Sequence, residues 1–434
     1  MNLLHANDRA GEYPPSWYAE TATPLAPLPP LQGAVRADVA VVGAGFTGLS
    51  AALHLARSGL RVVVLEAQRV GFGASGRNGG QVGSGQRLEQ DALEAMLGPD
   101  HARRLWALAE DAKALVRALV AEHAPEAGWR PGIVHACRKP SEVRHAHAMA
   151  ERLARDYGYR YVEPLDRDGL RAIVPSREYV GGDIDHGAGH LHPLRFAFGL
   201  ARAALAAGAQ VFERSEVVGI DTGAPVRLRT ARGTVEADHL ILACNGYLGR
   251  LHRAEAARVM PINNFIVATE PLGARAAEVL TRDVAVADTR FVVNYWRLSE
   301  DRRLLFGGGE SYGYRFPADI RAVVRKPLLR VYPGLADVAL THAWGGTLGI
   351  TARRLPHLAR LGPGMWSASG FSGHGVAMGT LSGRLLAEAV RGEAGGFADL
   401  ASLPVPRFPG GPALRAPLLA LAMTWFSLRD RLGV

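Results

Sequence analysis

Gly43, Gly45 and Gly48, spaced two and then three residues apart, follow the apolar run Asp38-Val-Ala-Val-Val42, and Glu66 closes a second run, Val62-Val-Val-Leu65. This reads as a strand, a glycine turn, a helix and a second strand ending in an acid. Such a unit holds the adenosine diphosphate half of a dinucleotide. Gly43 permits the tight turn, Gly45 lets the pyrophosphate approach the backbone, and Gly48 lets helix pack on strand. The helix start offers free N–H groups and partial positive charge to phosphate. Glu66 falls about twenty residues beyond the glycines, where a carboxylate accepts from ribose hydroxyls. A glycine triplet alone is weak evidence; strand, helix and acid in register make it specific.

Two more glycine-rich runs lie far from the first, Gly71-Phe-Gly-Ala-Ser-Gly-Arg-Asn-Gly-Gly-Gln81 and Gly370-Phe-Ser-Gly-His-Gly375. The second opens an apolar helix, Ala377–Arg391. Between them, Asp238-His-Leu-Ile-Leu-Ala-Cys-Asn-Gly246 reads as a buried strand ending in a glycine turn. The segments connecting these runs alternate between helical and strand patterns. Residues 87–139 are helical apart from a short strand at 132–137, and 141–156 and 194–207 are helices. Ser215–Val235 reads as a meander, and 259–310 is strand-rich, with Asn263–Thr269, Phe291–Leu298 and Leu304–Gly307. A helix over Pro317–Val331 follows. The expected organisation is an N-terminal arm (1–35), rich in proline over Thr21–Pro30 and laid on the surface; one domain from 36–86, 183–257 and 340–400; a second from 87–182 and 258–339; and a tail over 401–434. Two interleaved domains follow from this scatter, and no internal repeat is evident.

The chain has 434 residues, 48% of them hydrophobic, enough for a large core and against disorder. The net charge of +9 is spread out, and the only lysines are Lys113, Lys139 and Lys326. No basic block interleaved with aromatics marks a nucleic-acid groove. Cys137 and Cys244 form no metal-spaced pair and fit a reducing, cytoplasmic setting. His186, His190 and His192 have no acid or cysteine set to complete a metal site, and no metal is expected. No secretory leader or spanning run is expected. The apolar stretch Ala416–Leu428 reads first as a docked terminal helix, with a membrane surface or partner subunit as the alternative. Oligomeric state is left open.

Together the runs Val41–Ser50, Val70–Gln81 and Ala368–Val376 give a resemblance, from about Trp17 onward, to the flavin amine oxidases of the D-amino-acid oxidase and sarcosine oxidase superfamily, nearest the gamma-glutamylputrescine oxidase branch. The resemblance implies an α/β fold: a Rossmann-like FAD domain of the glutathione-reductase type, interleaved with an α+β substrate domain on a mostly antiparallel sheet. It implies FAD, non-covalently bound. Gly43, Ala44, Gly45, Phe46, Thr47 and Gly48 would face the pyrophosphate, with Glu66 and Ala67 at the ribose. Gly73, Ala74, Ser75, Arg77, Asn78, Gly79, Gly80 and Gln81 would line the flavin and its phosphates. Val217 would meet the adenine, while Cys244, Asn245 and Gly246 would close over the phosphates. Gly370, Ser372, Gly373, His374 and Gly375 would sit at the pyrimidine edge.

Such chemistry oxidises the CH–NH bond of an amine, with hydride passing to flavin N5; an imine then hydrolyses to aldehyde plus amine or ammonia, and O2 becomes H2O2. The cofactor does the hard step, so no dedicated base is required and no catalytic residue is assigned. His374 is the candidate donor at the flavin edge; otherwise it fills a turn. Arg77 pairs with phosphate or orients the ring, or is a buried structural arginine. Tyr295, Trp296 and Trp344 are candidates for an aromatic substrate pocket, or ordinary core. Sarcosine oxidases carry a lysine after the GHG run where this chain has Ala377, which points to a longer amine with any carboxylate farther out. They also keep a lysine above the flavin, absent from Arg303–Gly309, so a secondary-amine or amino-acid dehydrogenase passing electrons to a quinone stands as the alternative to an oxidase using O2. A non-enzymatic flavoprotein is the remaining alternative.

Overall fold

The computed structural model describes residues 2–311 and 313–409. The stretch Ala416–Leu428 lies outside the described residues. Two sheets carry the fold. The first runs in the order His357–Gly362, Met365–Ser369, Gly233–Leu242, Gly33–Val42, Val62–Leu65, Gln210–Phe212. Along this path neighbours are parallel except at the His357–Gly362 edge, and Val226–Arg229 pairs antiparallel both with Gly233–Leu242 and with Gly219–Asp221. Ala37, Val39, Ala40 and Val41 are fully buried, as a strand covered on both faces demands. Helices Phe46–Arg57, Pro193–Ala206 and Gly375–Val390 pack on one another beside it. Gly383 lets two of them approach closely: a Cβ there would lie 2.3 Å from the Thr47 carbonyl oxygen.

Among the described residues the second sheet has nine strands. Its order is Leu340–Ile350, Met260–Thr269, Leu304–Ser311, Tyr295–Leu298, Ala285–Asp288, Arg130–Cys137, Gly181–His190, Gln81–Val82, with Val162–Leu165 beside Gly181–His190. It is antiparallel save for Ala285–Asp288 against Arg130–Cys137.

Segment membership differs from expectation in four places. Gln81–Val82, Gly181–His190 and Leu340–Ile350, expected with the dinucleotide unit, are strands of the antiparallel sheet. Helix Pro99–His123, expected on the substrate side, buries Ala102, Leu105, Ala109, Ala112 and Val116 in the core that also holds Leu49, Phe196 and Leu381. An apolar stripe shows that a helix packs but not against which layer. The N-terminal arm is also more embedded than its prolines imply. Trp17 and Tyr18, on the short helix Trp17–Thr21, are buried in that same core, and Leu31 donates its N–H to Ser215 Oγ at 2.9 Å.

Candidate functional site

A single cavity of about 2340 Å³ runs from the glycine turn of the parallel sheet to the face of the antiparallel one. It exceeds the roughly 300–1,000 Å³ of an ordinary small-ligand site and has room for a dinucleotide and a substrate together. All the residues expected at the site line it except Ala44, Gly48, Gly80, Gly370, Trp296 and Trp344.

At one end, Gly43 adopts φ +105 and a Cβ there would meet the Ala243 carbonyl oxygen at 2.8 Å. A Cβ on Gly45 would meet Ser75 Oγ at 2.8 Å. Helix Phe46–Arg57 begins at Gly45 with no side-chain cap, so its first N–H groups face the cavity, Phe46 N–H excepted, which donates to Ser75 Oγ at 3.0 Å. Glu66 accepts from Ala44 N–H at 2.8 Å and from Gln68 N–H at 2.9 Å. Burial pushes its carboxyl up to about 7, against the pull of those backbone donors. Cys244 and Asn245 follow strand Gly233–Leu242, and Asn245 (φ +45) accepts from Gly370 N–H at 2.9 Å.

Four expected cofactor contacts are behind this wall. Gly48 faces the Gly43 carbonyl, 1.9 Å from an added Cβ, and serves packing alone. Ala44 is fully buried under its bond to Glu66. Gly80 (φ +77) lies against the Leu191 carbonyl, and Gly370 (φ +72) against Thr351 and the Asn245 amide. These glycines allow chain crossings that shape the site without touching its contents.

In the middle of the cavity, Asn78 staples its loop, donating to the carbonyls of Ala74 and Ser75 at 3.0 Å and accepting from Gly80 N–H at 2.7 Å. Arg77 is buried. Its Nε donates to Phe72 O at 2.6 Å, Nη1 pairs with Asp8 at 2.8 Å, and the guanidinium lies 4.4 Å over the Phe72 ring. Its Nη2 is buried and has no partner among the described residues. His374 Nε2 is likewise buried and unpartnered, and burial, reinforced by the Arg87 charge, lowers its pKa to about 4. The ring is therefore neutral at pH 7, just ahead of helix Gly375–Val390, which has no side-chain cap. Two uncapped helix starts, a wall no Cβ could enter and two orphaned buried nitrogens fit a phosphate-bearing cofactor with a polar ring edge.

Of the three aromatic candidates, one lines the cavity. Tyr295 lines the cavity, its ring held between Gly79 and Gly307, its hydroxyl donating to Asn264 Oδ1 at 2.5 Å. Burial raises its pKa, so the phenol stays protonated. Trp296 and Trp344 are corrected to core. Trp296 stacks on Phe306 and Tyr179 in the second hydrophobic cluster, and Trp344 donates from its indole to Arg77 O at 3.1 Å behind the wall. On their strands these two side chains point away from the cavity face, a direction that turns on register.

The substrate-side arm brings in residues that no motif marked. His135 Nδ1 lies 2.8 Å from Asp183 Oδ1. Desolvation within the cavity opposes the charge of this half-exposed ring, yet Asp183, Asp185 and Glu89 raise its pKa to about 9, so it is an imidazolium at neutral pH. Asp185 accepts from Ser84 Oγ at 2.5 Å, Tyr159 OH at 2.6 Å and two backbone amides. Lys113, buried, donates to Ser84 at 2.5 Å and to Tyr159 OH at 2.8 Å. A lysine on the apolar face of a helix was the one signal available. Trp106, Met149 and Leu153 give this arm an apolar wall.

The histidines near 190 do not converge. His192 caps helix Pro193–Ala206, His190 is buried in its strand, and His186 pairs with Glu163. Among the described residues, Glu89, Asp91 and His145 do lie within metal-ligand reach of one another. Both thiols line the cavity, and burial raises each to about 12, so neither is a thiolate.

Comparison with known proteins matches residues 38–389 to the family DAO, described as FAD dependent oxidoreductase. The chain is 43% identical over 417 residues to "Probable oxidoreductase OrdL" of Rhizobium meliloti (strain 1021), covering 96% of this chain and 97% of that one. It is 40% identical over 425 residues to "Gamma-glutamylputrescine oxidoreductase" of Escherichia coli (strain K12), covering 98% and 100%. A solved structure, glycine oxidase from Geobacillus kaustophilus, superposes with TM-score 0.73 at 25% identity over 87% of this chain and all of that one.

Proposed function

The chain belongs to the FAD dependent oxidoreductase family DAO, and from that premise we propose that it oxidises the CH–NH bond of an amine resembling gamma-glutamylputrescine. Amine, O2 and water become an aldehyde, ammonia or a smaller amine, and H2O2. The observation that carries this is the continuity of one cavity from Glu66 past His374 to Tyr295 and the apolar arm. When bound, non-covalently, FAD supplies the two-electron acceptor.

The chain's own residues do the rest. Gly43, Gly45 and the N–H groups opening helix Phe46–Arg57 bind the pyrophosphate, and Glu66 accepts from the ribose. Neutral His374 offers Nε2, and Arg77 offers Nη2, to polar edges of the cofactor. The Tyr295 ring and the wall of Trp106, Met149 and Leu153 exclude water, which favours the uncharged amine that must give up the hydride. Ala377 leaves no lysine beside His374 for a small amino acid's carboxylate.

Purified protein is expected to be yellow, and anaerobic gamma-glutamylputrescine is expected to bleach it; sarcosine, proline and a D-amino acid complete the panel. Oxygen uptake equal to amine consumed supports the oxidase reading. A flavin bleached by amine yet reoxidised only by a quinone removes it, and a flavin that no amine bleaches removes the enzymatic reading altogether.

The raised Glu66 pKa gives a second expectation. In the apoprotein, Glu66 contributes stability below its ordinary value of 4.5 and loses it as pH rises to about 7. Ribose hydroxyls donate best to the ionised carboxylate, so FAD affinity should fall as pH drops below about 7, by at most about tenfold per unit. Glu66→Gln should bind FAD more weakly with no such slope. Titration of apoprotein with FAD across pH checks this; a variant keeping both affinity and slope removes the ribose assignment.

A further inference from the structure

Arg87 and Arg354 both line the cavity, in company with His374, Tyr295 and Phe291. Among the described residues, neither side chain makes an ion pair or hydrogen bond, whereas Arg290, which also lines the cavity, is paired with Glu178 and Asp288. Glu89 and Glu310 act on Arg87 only from beyond ion-pair range. Burial, and next the neighbouring Arg354, lower the Arg87 pKa, so the two cations repel in a partly desolvated space. That arrangement is unfavourable until an anion joins it.

The position of Arg354 is built rather than incidental. Its backbone adopts φ +58, uncommon for a residue with a side chain. The turn is held by Arg354 N–H to Thr351 O at 3.0 Å and by Thr351 Oγ1 to Leu355 O at 2.7 Å. Thr351 N–H donates to Ser372 Oγ at 3.2 Å, which fixes the turn to the His374 loop. The guanidinium rests 4.5 Å over the Phe291 ring, which leaves its N–H edge available. Two planar guanidinium forks lining one cavity match a carboxylate, which accepts bidentate bonds from arginine.

We infer that Arg87 and Arg354 form an anion site for a carboxylate at the far end of the amine substrate, several bonds from the carbon that is oxidised. This rests on the amine-oxidising reading above and adds the specificity determinant. His374 and Tyr295 are themselves uncharged, so the two cations sort substrates by their distal group.

The test compares gamma-glutamylputrescine with N-acetylputrescine, which shares the amine end and lacks the carboxylate, by anaerobic flavin bleaching. Wild type should half-saturate with gamma-glutamylputrescine at a concentration about tenfold or more below that for N-acetylputrescine. Arg87→Ala and Arg354→Ala should each move that ratio toward one, and Arg87→Lys should keep part of the preference. Arg354→Lys serves if an alanine variant loses its flavin. Variants that weaken both amines by the same factor, or leave the ratio unchanged, overturn the site. Wild type that bleaches equally well with both amines also overturns it while the amine-oxidase reading stands. Wild type that no amine bleaches removes both.

Discussion

Gly48→Val is expected to yield a protein that purifies without FAD and melts well below wild type. A Cβ at this position would lie 1.9 Å from the Gly43 carbonyl oxygen and 3.2 Å from Val41 Cγ1. The nearer atom is backbone, in the turn that opens into the cavity, so no flexible side chain can give way. Either the helix start moves off the strand or the Gly43 turn opens, and both displace the N–H groups that would meet the pyrophosphate. Overpacking a core costs about 1–3 kcal/mol where side chains can adjust, and this contact sits at the upper end or beyond. Absorbance at the flavin band per mole of protein and a thermal melt read the two effects. Gly395→Ala is the control: nothing lies within 4 Å of an added Cβ, at the first residue of helix Gly395–Ala401. It should be neutral or stabilise by up to about 1 kcal/mol through the unfolded chain. A Gly48→Val protein with full flavin content removes the packing role assigned to this glycine.

The glycine turn was legible because its requirements are local. Gly43, Gly45, Gly48 and Glu66 fall within one strand, helix and strand, and each is fixed by what a neighbouring backbone or phosphate will tolerate. The same holds for the Gly370–Gly375 loop, whose helix start is set by its own sequence. Residues whose role depends on what crosses behind them were less legible. Gly80 and Gly370 carry the same φ > 0 signature as a binding loop, yet Gly80 lies under the Leu191 carbonyl and Gly370 under Thr351, partners more than 15 positions away in sequence for each roughly placed strand. Trp296 and Tyr295 are adjacent, and one residue of register decides which faces the cavity. Strand Gly181–His190 shows no apolar alternation, since its glycines admit partners: a Cβ on Gly182 would lie 1.9 Å from the His135 carbonyl.

The charged arm of the site was hidden for a different reason. Ser84, Lys113, Tyr159 and Asp185 come from a loop, a helix, a connecting segment and a strand, and meet only because the antiparallel sheet and helix Pro99–His123 share that wall. Electrostatics gives no sequence period to detect. The retrospective signal is compositional: Lys113 is one of three lysines in a chain that otherwise uses arginine, and it follows Leu105, Leu108 and Ala112 on an apolar face. An ammonium there needs buried acceptors.

Lys113→Met is accordingly expected to be among the most destabilising single changes outside the glycine turn. The ammonium is 4% exposed, holds Glu110 at 2.8 Å, and bonds both hydroxyls that donate to Asp185. Methionine fills much of the volume, so the loss is chiefly electrostatic: two carboxylates remain in a low-dielectric wall with only neutral donors. Breaking a fully buried pair from one side costs about 3–5 kcal/mol, and the half-buried Glu110 puts the expected loss below the top of that range. The pH dependence identifies the cause. Burial raises the Glu110 pKa and Lys113 partly restrains it. Without the lysine, that pKa rises further. A carboxyl with a raised folded pKa lowers stability as pH climbs from its unfolded value through its folded one. The deficit of Lys113→Met should therefore shrink as pH falls from about 8 to about 5, where Glu110 takes up a proton. Paired melts of variant and wild type across that range decide the matter. A deficit that stays constant with pH would mean that Lys113 acts through the packing of its methylene stem, and a deficit below about 1 kcal/mol would mean that water already reaches this wall.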